Sequence, residues 1–78
     1  MPTPILLPDL GAGSVTLSHW YAEPGDAVLA GERIVEVLTE GATFEVTSPA
    51  TGRLLSKQAF PRESLVAGQT LGEVEEST

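Results

Sequence analysis

A shift of 37 residues lays one half of this chain on the other. Pro24 falls on Pro61, Val28 on Leu65, Leu29 on Val66, and Ala30-Gly31 on Ala67-Gly68. Further on, Glu32 falls on Gln69, Ile34 on Leu71, Glu36 on Glu73 and Val37 on Val74, while upstream Leu17 falls on Leu54. In a chain of 78 residues, a repeat of this length predicts two similar units. Each unit alone would leave an apolar face in water, so the two must close on one core.

The units read as β. Val15, Leu17 and His19 alternate with Thr16 and Ser18, and Phe44 and Val46 alternate with Thr43, Glu45 and Thr47. Arg33 to Thr39 is rich in β-branched residues. Turn signals fall between these runs at Gly11 and Gly13, Pro24-Gly25-Asp26, Gly31, Glu40-Gly41, Pro49 with Gly52, Pro61 and Gly68. No stretch keeps helical spacing. The expected fold is all-β: a flattened barrel of two sheets with quasi-two-fold symmetry, one domain over residues 1–78. The polar tail, residues 75–78, is expected to fray. The shift carries the Glu40-Gly41 turn onto Ser77 and Thr78, so that turn and the chain ends should lie at opposite ends of the molecule.

Composition narrows the function. Eleven Asp and Glu against four Lys and Arg give a net charge of −7, which repels phosphate backbones and argues against nucleic-acid binding. The acids are dispersed, as on a solvated surface or a face for a basic partner. No apolar run is long enough to span a membrane, and the start lacks the pattern of a signal peptide, so a cytoplasmic location is the default. Cysteine is absent, which excludes disulfides, thiolate metal sites and cysteine nucleophiles. So small a domain also has little room for a deep catalytic cleft.

An ordered series of short matches resembles a known family. Leu7-Pro8-Asp9-Leu10-Gly11-Ala12-Gly13 comes first, then Trp20 with Pro24-Gly25-Asp26-Ala27-Val28. Gly31-Glu32 and Ile34-Val35-Glu36-Val37 follow, then Ala42-Thr43, Glu45-Val46, Ser48-Pro49-Ala50-Thr51-Gly52, Leu54 and Val66-Ala67-Gly68. From Ile5 to about Glu75 the chain resembles the lipoyl domains of 2-oxo acid dehydrogenase acyltransferases and, more loosely, biotinyl carrier domains. The resemblance implies a barrel-sandwich hybrid of two four-stranded sheets. It also implies a hairpin turn reading Glu-Thr-Asp-Lys-Ala or similar, whose lysine carries the cofactor. Here the turn reads Leu38-Thr39-Glu40-Gly41-Ala42, so Gly41 stands at the attachment position. Family members often read Pro-Asp-Leu-Gly-Glu-Gly near the start, where this chain has Ala12 in place of the Glu. The resemblance places that loop beside the lipoyl turn and gives it a part in recognition by the decarboxylase component. Gly11, Ala12 and Gly13 are therefore a candidate partner-contact loop.

Glycine has no side-chain nucleophile, so neither lipoate nor biotin can be attached at position 41. Gly41 reads either as a turn residue or as a point of close backbone approach by a partner. No cofactor is expected, although lipoate belongs to the family. The partner implied is a protein such as a dehydrogenase-complex component, with no nucleic acid and no membrane. Lys57, the single lysine, reads as a solvated surface residue, with relocated lipoylation as the alternative. His19, the single histidine, is expected to be partly buried by its parity with Val15 and Leu17, and it lacks the companions a metal site needs. Ser18 and Asp26 do not make a triad with it by spacing. Trp20 reads as a core or rim aromatic. No catalytic or metal-binding constellation can be assembled, so the expectation is a non-catalytic module, with a working or engineered-variant carrier as the alternative.

Overall fold

The structure is a computed structural model that describes residues 2–77, and the described residues form eight strands and no helix. The strands are β1 (Pro2–Leu6), β2 (Val15–Trp20), β3 (Ala27–Val28), β4 (Arg33–Thr39), β5 (Ala42–Thr47), β6 (Gly52–Lys57), β7 (Ser64–Leu65) and β8 (Thr70–Glu76). Two antiparallel four-stranded sheets result, with orders β1-β8-β6-β3 and β5-β4-β2-β7. The 37-residue shift carries β2 onto β6, β3 onto β7 and β4 onto β8, and, with the chain read as a circle, β5 onto β1. The two sheet orders are thus one order written twice.

The backbone repeats bond for bond. Gly25 N–H donates to Leu54 O (2.8 Å), and Arg62 N–H donates to Leu17 O (2.9 Å). Leu54 N–H bonds Asp26 O as Leu17 N–H bonds Glu63 O. Asp26 Oδ2 caps the Glu23 amide as Glu63 Oε1 caps that of Phe60, and Glu32 and Gln69 cap Leu29 and Val66. Even the irregularities match: the β2–β4 register slips between Leu17 and His19, and the β6–β8 register slips between Leu54 and Ser56.

Nine of the largest core residues, among them Ile5, Leu17, Ile34, Leu54 and Leu71, are essentially shielded from water. They come from the inner faces of both sheets, which is why neither unit is complete alone. The body is elongated, 38 × 18 × 18 Å. Pro2 pairs with Glu75 where the chain ends meet, and the β4–β5 turn sits at the symmetry-related far end.

One expectation is corrected. The tail does not fray from Glu75: Glu75 and Glu76 belong to β8, paired with Arg53 and Gly52, and Ser77 N–H donates to Thr51 O (2.9 Å). Thr78 lies outside the described residues. On β5 Val46 is buried, while Phe44, nearer the turn on this edge strand, is 42% exposed.

Candidate functional site

The site to test is the β4–β5 turn. Thr39 pairs with Ala42, leaving Glu40 and Gly41 as a two-residue turn. Gly41 has φ +84°, while Glu40 keeps a negative φ. A turn with positive φ at its third position calls for glycine, because a Cβ there meets the backbone at a cost of about 1–2 kcal/mol. Thr39 Oγ1 donates to Ala42 O (3.2 Å) and closes the turn from the side. Beyond its own chain neighbours, a Cβ built on Gly41 meets no atom within 4 Å, so any side chain here would project into open space.

The Gly11–Gly13 loop lies against this turn. Asp9 Oδ1 accepts the Gly11 amide (2.9 Å) and bends the loop on itself. Glu40 Oε1 then accepts the Gly13 amide (3.2 Å), tying the loop to the turn across 27 residues of sequence. A cavity of about 200 Å³ runs behind the loop, lined by Leu7, Leu10, Ala12, Val15 and Val66 among others. On the other side of the turn a wide, shallow surface is formed by Leu38, Thr39, Gly41, Ala42 and Thr43. The juxtaposition inferred for loop and turn is therefore present. It brings together backbone amides, the Asp9 and Glu40 carboxylates, each engaged by an amide of the loop, and the Thr39 hydroxyl, engaged by Ala42 O, and it offers no amine.

The other candidates are dispersed. Lys57 ends β6 and pairs with Gly72 in mid-sheet. It is not the solvated lysine the sequence implies. Its side chain is only 18% exposed, Nζ donates to both Glu23 oxygens (2.8 Å each), and it sits 5.8 Å from the centre of the Trp20 ring. Trp20 meets its expectation: half-buried against the core, it donates from Nε1 to Ala59 O (3.0 Å). His19 does not, because its side chain is 52% exposed. The bulge at Ser18 reverses the parity of β2, so Trp20 turns inward in place of His19. Ser18 Oγ lies 3.3 Å from His19 Nδ1, but Asp26 is engaged by the Glu23 amide, so no triad forms. Among the described residues no group of three His, Cys, Asp or Glu is placed to hold a metal ion.

One cluster was not anticipated. On the outer face of β4 and β5, the Tyr21 hydroxyl bonds Glu45 (3.2 Å) and Glu36 (3.4 Å), Arg33 pairs with Glu45 (3.0 Å) and stacks on Tyr21 (4.6 Å), and His19 reaches Glu36 (3.4 Å). Partial burial, then the Glu45 hydrogen bond and the two carboxylate charges, raise the Tyr21 phenol above its ordinary value against the opposing pull of Arg33. The Glu45 hydrogen bond likewise raises Arg33. His19 lies on β2 with Tyr21 just past its end, Arg33 and Glu36 lie on β4 and Glu45 on β5, and strand pairing brings these three segments together.

Comparison with known proteins places this architecture. The chain is 33% identical over 73 residues, 91% of its length, to a lipoamide acyltransferase component of the branched-chain alpha-keto acid dehydrogenase complex of Pseudomonas putida. It is 31% identical over 78 residues to a dihydrolipoyllysine-residue succinyltransferase component of the 2-oxoglutarate dehydrogenase complex of Rickettsia conorii. The chain spans only 17% and 20% of the length of these two relatives. Its structure is similar to the solution structure of the lipoyl domain of the 2-oxoglutarate dehydrogenase complex from Azotobacter vinelandii, with TM-score 0.77, 26% identity, and 96% and 98% of the two chains covered. The family model described as Biotin-requiring enzyme matches residues 3–74, and the chain accordingly belongs to the biotin/lipoyl domain family.

Proposed function

We propose that this is a lipoyl-type domain that carries neither lipoate nor biotin and works as a non-catalytic binding module beside a 2-oxo acid dehydrogenase-type complex. The observation that carries the reading is the turn: Gly41 occupies the exposed tip with φ +84° and offers no amine. Lys57, the single lysine, is held by the Glu23 carboxylate away from any hairpin tip. A swinging arm needs a free amine on a long stem at the tip, and neither position supplies one. The clasp between Glu40 and Gly13, which fixes the loop against the turn, supports the reading of the tip as a contact surface.

A second reading, a variant of a working carrier, is favoured by the open space around Gly41 and by the retained Thr39 and Ala42 beside it. Co-expression with a lipoate ligase and, separately, a biotin ligase, read by intact mass, tests both. The proposal expects no adduct on the chain as it stands, and an adduct on Lys57 would overturn it. Gly41→Lys should accept lipoate, since its side chain meets nothing and the strain is only about 1–2 kcal/mol. Failure of that variant would remove the second reading.

A further inference from the structure

The quasi-two-fold symmetry makes β1 and β5 equivalent edge strands, yet their outer edges differ in kind. Pro2 pairs with Glu75 and Pro4 with Glu73. Proline has no N–H, so neither can donate to β8. Both stand where the backbone amide would point away from the sheet. The equivalent pairs in the other sheet are Thr43 with Leu38 and Glu45 with Glu36. At these positions β5 carries ordinary residues, whose N–H and C=O groups face outward. The remaining edges, β3 and β7, are two residues long. Among the described strands, β5 is therefore the long edge able to accept another strand.

We propose that the β5 edge, Ala42–Thr47, docks an extended basic segment of a partner protein by strand addition. Side chains on either side of the edge define what fits. Glu45 and Glu36 lie on the outer face, with Arg33 as their cationic neighbour, and the chain's net charge is −7. Phe44, 42% exposed, faces the other way. An added strand that alternates lysine or arginine with apolar residues would meet carboxylates on one face and Phe44 on the other, while its backbone pairs with Thr43 and Glu45. A second copy of this acidic chain would instead bring carboxylates toward carboxylates. The inference deepens the reading of the domain as a binding module and rests on it, but uses residues outside the attachment turn.

The test is a titration of the chain with the hexapeptide Lys-Val-Lys-Val-Lys-Val and with its Glu-for-Lys analogue, followed by amide NMR and hydrogen exchange. The expected result is slowing of exchange at the Thr43 and Glu45 amides by about tenfold or more with the basic peptide, and none with the acidic one. Thr43→Pro/Glu45→Pro, which copies the edge of β1, should abolish the effect. Should that variant not fold, the basic peptide N-methylated at alternate residues must lose binding to the unaltered chain. Shifts without protection of those two amides, no binding, or self-association without peptide would each overturn the assignment. A cofactor adduct on the chain would overturn the proposed function and leave this result standing. An unmodified chain that ignores the basic peptide would remove only the edge assignment.

Discussion

Gly25 and Arg62 hold the same place in the two turns that follow β2 and β6, with φ +98° and +73° and matched hydrogen bonds to Leu54 and Leu17. One turn uses the residue that tolerates this conformation, and the other forces an arginine into it. The same inequality recurs inside the sheets. Val15 in β2 is matched by Gly52 in β6, where a Cβ would run into the Glu75 carbonyl. Val35 in β4 is matched by Gly72 in β8, where a Cβ would also crowd the Trp20 ring. The hydrogen-bond lattice is shared by both halves, and the side chains have separated around it. Symmetry here belongs to the backbone, while specificity of packing and of contact belongs to its exceptions.

The sharpest way to break the comparison is to copy one half onto the other at Gly52. Gly52→Val reproduces Val15 but drives a side chain into the β6–β8 contact, and should destabilise the fold by about 3 kcal/mol in urea titrations. An unchanged midpoint would show that β6 and β8 can part within their sheet, and the symmetry argument would lose its packing half. Next in size is Trp20→Ala, which removes a half-buried ring and its bond to Ala59 O and should cost about 2–3 kcal/mol. Its loss should also free Lys57, measurable as faster acetylation of that amine, whereas unchanged reactivity would mean that Glu23 alone restrains it.

Smaller and opposite in sign is Arg62→Gly. Relief of the left-handed conformation returns about 1–2 kcal/mol, and the added freedom of the unfolded chain takes back about 0.4–1. A net gain of about 0.5 kcal/mol is expected in thermal melts. A loss would mean that the Arg62 side chain holds the turn. The smallest effect concerns Tyr21, whose phenol is raised by partial burial and the Glu45 hydrogen bond. A raised folded value means that the neutral phenol favours the fold below its unfolded value near pH 10, and that this contribution fades as pH climbs through the folded value. Ultraviolet titration should find the phenol above that range, and Glu45→Gln should lower it.

Most of the scaffold was legible because repetition and turn chemistry are local signals. The 37-residue shift named the equivalent strands, and the turns at Pro24-Gly25-Asp26 and Glu40-Gly41 fell between them. His19 was misread because a one-residue bulge leaves no mark in composition while reversing every side chain beyond it. Lys57 was misread because Glu23 lies 34 residues away in sequence and is brought to it only by packing. The β1–β5 contrast was hidden because Pro2 and Pro4 fall on Thr43 and Glu45 only when the repeat is closed into a circle. At the β4–β5 turn, Gly41 was visible at once and the resemblance set the Gly11–Gly13 loop beside it, but the hydrogen bond that ties Gly13 to Glu40 needed the fold.

The central claim is that an intact lipoyl-type scaffold presents a tip without an attachment group. Intact-mass spectrometry of the chain isolated from its native source tests it most directly. The account predicts the mass of the unmodified sequence, with Lys57 unacylated in a peptide map. A lipoyl or biotinyl adduct on any residue would contradict it.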